Sequence, residues 1–222
     1  MSKAPQLWIV AGPNGAGKTT CVQKEPIASL LPNVPFLNPD DITRAKLIAS
    51  GYTGFADAPL DVQTKLFFES ADQVQEDLEQ AINNGNAIGV ETVLSSDKYQ
   101  SLVNRVIELN GQFRLIYITL RSPAISIERV AARVRRGGHG VPEDKIEARF
   151  YRSHSNLTWF ARRDKSFWVI DNSDSHLLQP PKMLAHGSQG KLSQLDPSAP
   201  EHLIVAFSTF ERSNPAPNPP PH

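Results

Sequence analysis

The residues best suited to chemistry form a glycine-rich segment that ends in a lysine and a threonine. Residues 12–19 read Gly-Pro-Asn-Gly-Ala-Gly-Lys-Thr and fit the pattern G-x-x-x-x-G-K-[ST]. Such a segment can bind a polyphosphate, because its glycines let successive backbone N–H groups point at an anion and the following helix adds its positive end. Lys18 would supply a charge to the β- and γ-phosphates of ATP, and the Thr19 hydroxyl would be a ligand for Mg²⁺.

The surroundings of this segment favour a phosphate-binding loop over its alternative, a glycine-rich turn that carries a lysine by chance. An apolar run at residues 7–11 precedes it and predicts a buried strand, and a helix-compatible stretch at 20–24 follows it. Strand, spacing and helix therefore agree on one interpretation. We assign to ATP binding the residues Gly12, Pro13, Asn14, Gly15, Ala16, Gly17, Lys18, Thr19 and Thr20.

Carboxylates follow two further apolar runs. Asn38-Pro39-Asp40-Asp41 comes directly after the run at 34–38, and a carboxylate there can accept the proton of a substrate hydroxyl that attacks the γ-phosphate. Asp40 is therefore the candidate catalytic base. The alternative is an Asx turn in which Pro39 and the aspartates only start the next helix.

Glu91 and Thr92 end the apolar run at 87–91. An acidic residue in that place holds Mg²⁺ through water or positions the substrate in phosphate-loop proteins. We predict that Glu91 contributes to the metal site and that Glu91 and Thr92 contact the substrate. A glutamate that merely leads from a strand into a helix is the alternative.

Positive charge is concentrated between residues 129 and 152. Three glycines interrupt this region at Gly137-Gly138-His139-Gly140, so a flexible segment lies between two helical stretches. A loop edged with arginines and hinged by glycines can close over a triphosphate and exclude water, which predicts a lid; the alternative is a solvated basic helix face. The cations of the region are Arg129, Arg133, Arg135, Arg136, Lys145, Arg149 and Arg152.

The elements that must position these residues alternate between strands and helices. Apolar runs at 7–11, 34–38, 87–91, 113–120 and 167–171 predict five buried strands, and apolar spacings of three and four predict helices between them. We therefore expect an α/β fold of the phosphate-loop NTPase type, a doubly wound parallel five-stranded sheet with helices on both faces and an arginine-rich lid. Functional residues should then cluster at the carboxyl edge of the sheet.

Composition limits the protein's class. Lys and Arg number 23 and Asp and Glu number 23, so no general attraction to nucleic acid or to an anionic membrane is indicated. The single cysteine, Cys21, excludes an intrachain disulfide and fits a reducing compartment. No apolar run approaches the roughly 20 residues that span a bilayer, and residues 1–5 lack the apolar core of a secretory signal. We expect a cytoplasmic protein that does not engage the membrane.

The chain divides into three parts. Residues 1–175 form the predicted kinase domain, and residues 176–214 a poorly defined extension that carries a strand or a short helix at 202–210. The tail at 215–222 is rich in proline and should be disordered, because proline cannot donate a backbone hydrogen bond.

Taken together, the motifs resemble those of the zeta-toxin-like phosphate-loop kinases. The resemblance runs in order from about residue 5 to residue 175 and rests on the segments 12–19, 38–40, 91–95, 127–133, 137–142 and 171–173. It implies an ATP- and Mg²⁺-dependent kinase, in which Lys18 and Thr19 bind phosphate and metal, Asp40 is the base, Glu91 a substrate or magnesium-shell ligand and Arg129 a clamp on the γ-phosphate. The best-studied relatives phosphorylate the 3′-hydroxyl of UDP-N-acetylglucosamine, and an antitoxin protein is an implied partner.

Two assignments remain open within the resemblance. The lid sequence differs from that of the toxins, so the second arginine of the clamp is either Arg133 or Arg136, with Arg135 between them. Asn172, which follows the fifth apolar run, is assigned to the adenine pocket. The acceptor is a small molecule, and a sugar nucleotide such as UDP-N-acetylglucosamine is the one that the resemblance suggests.

Three other protein classes share part of this pattern. Transporter ATPase subunits have a similar phosphate loop, but the chain contains no Leu-Ser-Gly-Gly-Gln segment. A polynucleotide 5′-kinase would use the same attack by a sugar hydroxyl, although a net charge near zero disfavours it. A non-catalytic ATP-binding regulatory module is the third class. The sequence favours transfer of the γ-phosphoryl group of ATP to an alcohol.

Overall fold

The apolar runs of the sequence form the parallel part of one sheet. In the computed structural model, which describes residues 3–23, 27–31, 33–174 and 180–211, β1 pairs in parallel with β3 and β4, and the outer strands β2 and β5 extend the sheet on either side. The predicted parallel five-stranded arrangement is therefore confirmed. The strands are β1 (Gln6–Ala11), β2 (Phe36–Leu37), β3 (Ala87–Thr92), β4 (Gln112–Thr119), β5 (Ser166–Asp171), β6 (Lys182–Ser188) and β7 (Lys191–Leu195).

Two strands beyond the five predicted ones complete the sheet. The strand order is β2-β3-β1-β4-β5-β6-β7, and β6 and β7 are both antiparallel to their neighbours. Gln189 and Gly190 join them with positive φ angles of 52° and 71°, as the two central residues of a tight hairpin turn require. In the described part of the chain the sheet thus has seven strands, five of them the predicted parallel ones and two an added antiparallel hairpin.

Helices cover both faces of the sheet. Leu7 and Ile9 lie in one buried cluster and Trp8 and Val10 in another, because successive residues of a strand point to opposite faces. This explains why the parallel strands are continuously apolar. The helices are α1 (Lys18–Cys21), α2 (Pro39–Ala49), α3 (Leu60–Asn83), α4 (Gln100–Glu108), α5 (Pro123–Arg135), α6 (Glu143–Ala161) and α7 (Glu201–Phe207). None of them, in the ranges described, is long and apolar enough to cross a membrane.

The core continues past residue 175, where the sequence analysis ends the kinase domain. Leu203 and Phe207 of α7 are buried in the same cluster as Leu7 and Ile9, and the Phe207 ring stacks on that of Phe167 in β5 at 5.6 Å between centroids. The predicted strand or short helix at 202–210 is a helix. Residues 180–211 thus share the sheet and core of the preceding residues, and the predicted tail at 215–222 lies outside the described residues.

Candidate active site

The glycine-rich segment leaves β1 and turns into α1 through backbone conformations that only glycine adopts readily. Gly12 has φ 144°, and a Cβ atom there would lie 2.0 Å from the carbonyl oxygen of Ile118 in β4. Gly17 has φ 80° and precedes the first residue of α1. A side chain at either position would strain the backbone, so the loop packs closely over the sheet.

The side chain of Lys18 folds back onto the phosphate loop. Its Nζ donates hydrogen bonds to the carbonyl oxygens of Gly12 at 2.9 Å and of Pro13 at 3.2 Å. Burial lowers the pKa of Lys18 to about 8, although the negative charges of Glu91 and Asp40 act in the opposite direction. The amine is therefore held at the loop in an environment that an added anion would make more favourable for its charge.

A short hydrogen-bond network connects the loop with the ends of β2 and β3. The Thr19 hydroxyl donates to Oε2 of Glu91 at 2.9 Å, and Nδ2 of Asn38 donates to the same oxygen at 3.3 Å. Glu91 is only 8% exposed, and burial raises its pKa against the opposing hydrogen bond from Thr19 and charge of Lys18. The predicted cluster at the carboxyl edge of the sheet is thus present in the geometry.

The hydroxyl of Thr19 and the carboxylate of Glu91 are oxygen donors of the kind that Mg²⁺ prefers. Within the described ranges no group of three or more His, Cys, Asp or Glu side chains could hold a metal ion. A magnesium ion here would therefore be held by one or two protein oxygens together with phosphate oxygens and water, as is usual for this ion. These residues fit that requirement.

Asp40 lies in the first turn of α2, and its neighbour Asn38 caps the helix. The Asn38 side chain accepts a hydrogen bond from the backbone N–H of Asp40 at 3.0 Å, and Pro39 occupies the first helical position. Asp40 therefore does belong to the start of the helix, but it contributes its backbone N–H to the cap and not its carboxylate. The Asp40 carboxylate is half-buried and is close enough to Lys18 and Glu91 to influence the pKa of each.

Thr92 supports the loop that follows β3. Its hydroxyl accepts a hydrogen bond from the backbone N–H of Leu94 at 3.2 Å, where Leu94 has a positive φ of 60°. The sequence predicts that Thr92 contacts the substrate; in the structure its hydroxyl instead stabilises an unusual backbone conformation at Leu94.

Arg129 and Asn172 brace the phosphate loop from the side of β5. Nη2 of Arg129 donates to the carbonyl oxygens of Asn172 at 2.9 Å and Ser173 at 2.7 Å, and its Nη1 lies 3.5 Å from the carbonyl oxygen of Gly15. The Asn172 amide is buried and donates to the carbonyl oxygen of Ala16 at 2.8 Å. Both side chains thus hold backbone carbonyls in this structure, which the sequence analysis did not foresee.

Arg133 and Arg136, the two candidates for the second arginine of the clamp, lie in different environments. In the part of the chain that is described, Nε and Nη2 of Arg133 are buried without a hydrogen-bond partner, and its positive charge contributes to the low pKa of Lys18. Arg136 is exposed, and its Nε donates to the carbonyl oxygen of Ala132 on its own helix. Arg133 is therefore close enough to Lys18 for its charge to act on it, whereas Arg136 lies exposed at the end of α5.

His139 is a residue that the sequence analysis included only as part of the lid. Its ring lies 5.0 Å from that of Phe55 and 6.2 Å from that of Phe67, measured between centroids. Burial lowers its pKa against the opposing charge of Asp40.

Comparisons with known proteins agree with this architecture. The profile of the zeta toxin family matches residues 1–179. The crystal structure of AvrRxo1-ORF1:ORF2 with ATP is similar over 94% of this chain and 64% of that chain, with a TM-score of 0.64 and 17% identity. A structure of the PezAT chromosomal toxin-antitoxin system of Streptococcus pneumoniae is similar over 77% of this chain and 70% of that chain, with a TM-score of 0.53 and 14% identity.

The solved structures and the family profile differ in what they show about this chain. At such identities the solved structures establish similarity of fold, and this chain spans about 64% of the length of the AvrRxo1 chain. No curated protein matches the sequence. The family match, by contrast, covers most of the chain and includes each of the site residues described above.

Proposed function

Because the chain belongs to the zeta toxin family, we propose that it is an ATP-dependent kinase that transfers the γ-phosphoryl group to a hydroxyl of a small substrate. The observation that carries this proposal is the convergence of Lys18, the Thr19–Glu91 pair and the Asp40 carboxylate at one edge of the sheet. Phosphate binding alone would need only the loop. A carboxylate next to it adds a group that can take a proton from an acceptor.

In the proposed reaction the acceptor oxygen attacks the γ-phosphorus in line with the bond to the leaving β-phosphate oxygen, which breaks. The proton of the acceptor hydroxyl passes to the carboxylate of Asp40. Lys18 and Arg133 bind the phosphate oxygens and stabilise the charge on the transferring group. Mg²⁺, held by Thr19 and reached by Glu91, would neutralise charge on the β- and γ-phosphates when bound.

The acceptor that we propose is a sugar nucleotide such as UDP-N-acetylglucosamine, phosphorylated on a sugar hydroxyl. The family membership supports this choice of substrate class. We further propose a small antitoxin protein as a partner, since the PezAT structure is described as a toxin-antitoxin system. Dependence on ATP and the single cysteine are consistent with work in a reducing, cytoplasmic compartment.

A panel of sugar nucleotides incubated with γ-labelled ATP and Mg²⁺ tests this proposal directly. We expect label to appear on at least one sugar nucleotide, and to be lost when Mg²⁺ is chelated. Parallel incubations of the free nucleotides and free sugars serve as controls for acceptor class. If ATP binds but no member of the panel is labelled, the acceptor class is wrong; if ATP does not bind, the kinase assignment is wrong.

The affinity for ATP should depend on pH through Lys18. Its pKa of about 8 means that the amine is protonated below that pH and loses its charge above it. Since only the charged amine attracts phosphate, the dissociation constant of ATP should change little in the pH unit below this pKa and then rise by up to about tenfold per pH unit above it. The terminal phosphate, with a second pKa near about 6, does not titrate in the same range.

Calorimetric titration of ATP across this range measures the effect. The Lys18→Arg variant is the control, because its guanidinium stays protonated and any residual affinity should not vary with pH. Equal affinity of the unmodified protein for ATP at pH values well below and well above the pKa would contradict the role given to Lys18.

The bracing contacts of Arg129 lead to a separate prediction. We expect Arg129→Ala to weaken ATP binding about tenfold and to reduce turnover with it, because loss of charge-assisted bonds to the Gly15 and Asn172 carbonyls loosens the loop before ATP arrives. A clamp acting only on the transition state would instead lower kcat with little change in affinity. Arg136→Ala, in which an exposed arginine is removed from the same helix region, is the matched control and should alter neither quantity by more than about twofold.

A further inference from the structure

Three consecutive carbonyl groups after β3 accept hydrogen bonds from one helix. The bonds run from Oγ of Ser153 to the Val93 carbonyl oxygen at 2.5 Å, from Nδ2 of Asn156 to that of Leu94 at 3.0 Å, and from Nε of Arg152 to that of Ser95 at 3.2 Å. The three donors lie on one face of α6, because residues three and four apart are neighbours on a helix. We call residues 93–95 the Leu94 turn; α6 holds this turn by its backbone.

Leu94 has a backbone conformation that leucine rarely adopts. Its φ of 60° lies in the left-handed region, where the Cβ atom is crowded. Successive carbonyl groups of an extended strand point in opposite directions, so the convergence of three of them on α6 needs such a break in the backbone. The N–H of Leu94 donates to Oγ1 of Thr92 at 3.2 Å, its carbonyl oxygen accepts from Asn156, and its side chain is buried in the core. Strain of this kind persists only where several contacts fix it, and it is concentrated at functional sites.

Glu91 lies at the end of β3, where one of the two neighbouring strands has already ended. Pairing with β1 continues through Glu91 to Thr92, whereas pairing with β2 stops at Val90, opposite Leu37. The Glu91 carboxylate accepts the hydrogen bond of the Thr19 hydroxyl at 2.9 Å from this position. Its placement therefore depends on how the chain is held just after the strand, and the Leu94 turn begins two residues after Glu91.

We propose that the Leu94 turn positions the Glu91 carboxylate against Thr19, and that Asn156 of α6 is a positioning residue for this pair. The inference rests on the kinase proposal for the role of Thr19 and Glu91 in binding Mg²⁺, and it extends that role to a residue outside the site. Asn156 donates the bond that holds the strained residue itself, so its loss lets the turn relax towards an ordinary backbone conformation. Relaxation of the turn moves Glu91 away from the place where it meets Thr19.

Asn156 is also the donor whose loss should disturb the fold least. Ser153 is fully buried, and since the Val93 carbonyl can only accept, the Tyr117 hydroxyl donates to Ser153 at 2.7 Å. Removal of Ser153 would leave that buried hydroxyl without its acceptor. Asn156 is half-buried, and alanine is the best helix former, so Asn156→Ala should give a folded protein.

Binding of Mn²⁺, followed by electron paramagnetic resonance, tests the proposal without an acceptor substrate. The full chain is saturated with a non-hydrolysable ATP analogue, and Mn²⁺ takes the place of Mg²⁺ as the probe. We expect Asn156→Ala to weaken Mn²⁺ binding about tenfold, the low end of the range for residues that orient a metal ligand. The affinity for the analogue in the presence of a chelator should not change.

Thr158→Ala is the matched control for Asn156→Ala. Its hydroxyl donates to the carbonyl oxygen of Ser155 on its own helix, so its removal should leave Mn²⁺ binding as it is in the unmodified protein. Equal Mn²⁺ affinity in Asn156→Ala and the unmodified protein overturns the proposal. That holds even if the midpoint of thermal unfolding falls, because a bond with a purely structural role would change stability alone.

A double-mutant cycle with Glu91→Gln shows whether Asn156 acts through Glu91. The Thr19 hydroxyl and the phosphate oxygens of the analogue still bind Mn²⁺ in Glu91→Gln, so its affinity stays measurable. We expect Asn156→Ala to change the Mn²⁺ affinity of the Glu91→Gln protein by less than about twofold. An equal loss of affinity in both backgrounds means that Asn156 acts by another route, and overturns the proposal.

The kinase proposal and this inference fail in different ways. If the unmodified protein binds neither the ATP analogue nor Mn²⁺, both are rejected. Mn²⁺ affinity that depends on Asn156 through Glu91, together with no labelled product from any acceptor, would retain the positioning role and reject phosphoryl transfer. Transfer to an acceptor, together with Mn²⁺ affinity that Asn156→Ala does not change, would retain the kinase and reject the positioning role.

Discussion

Lys18→Ala is expected to abolish phosphoryl transfer while leaving a folded protein. The amine is held against the carbonyl oxygens of Gly12 and Pro13, where the β- and γ-phosphates would replace those carbonyls as partners. Loss of a preorganised charge at the transferring group costs about 3 kcal/mol or more in the barrier, on the order of a hundredfold or more in rate.

The same substitution should not reduce stability. Burial lowers the pKa of Lys18 from 10.5 to about 8, so the charged form is less favourable in the folded protein than in the unfolded chain at neutral pH. Removal of the amine removes that penalty, and the midpoint of thermal unfolding at pH 7 should stay equal or rise. This separates a catalytic loss from a folding loss.

Lys65→Ala supplies the matched control for Lys18→Ala. Lys65 is exposed on α3 and forms a long ion pair of 4.0 Å with Glu69, which contributes little to stability. Its removal should leave kcat/KM within about twofold. Initial rates with labelled ATP and an identified acceptor, together with thermal unfolding of each variant, measure turnover and folding separately. Near-normal turnover of a folded Lys18→Ala protein would contradict the proposed kinase chemistry.

The parts of the fold that sequence predicted are those specified by local pattern. The phosphate loop is fixed by residues adjacent in the chain, because Gly12 and Gly17 adopt positive φ angles that other residues avoid. The central parallel strands were visible because both of their faces are largely buried, which makes them apolar without alternation. Neither inference requires knowledge of distant contacts.

The two antiparallel strands were missed for a physical reason. The segments β6 and β7 carry lysine, serine, histidine and glutamine, because they lie at the far edge of the sheet and expose part of their surface. A continuous apolar run, the signal used for the other strands, is absent there. Phe207 and Phe210 complete the core only once the hairpin has placed them beside Phe167.

The directions of the side chains at the site could not be predicted from the sequence either. Arg129 and Arg133 are four residues apart on α5, so they share a helix face and a pattern cannot rank them. The structure engages Arg129 with the carbonyls of the β5 end and places Arg133 beside Lys18. Which arginine meets phosphate therefore depends on how α5 is tilted against the loop, which is set by tertiary packing.

Asp40→Asn should reduce turnover by about a hundredfold or more while ATP affinity changes little. The amide keeps the shape of the carboxylate but cannot accept the proton of the acceptor hydroxyl, and general bases contribute rate factors of about this size. The start of α2 should survive the change, because the capping bond runs from the backbone N–H of Asp40 to the side chain of Asn38. Single-turnover rates and ATP titrations of the variant measure both effects.

Asp41→Asn is the closest control for Asp40→Asn that the chain offers. It removes one negative charge from the same first turn of α2, so it changes the interaction with the helix dipole by a similar amount, about 0.3–1 kcal/mol. Asp41 is the more exposed of the two, and partial burial together with the neighbouring Asp40 raises its pKa. Its substitution should leave turnover within a few-fold of normal. If Asp41→Asn is slower than Asp40→Asn, the base is Asp41 and not Asp40. Unimpaired turnover in both variants would place the proton acceptor outside this turn, since Asp40 and Asp41 are its acidic residues.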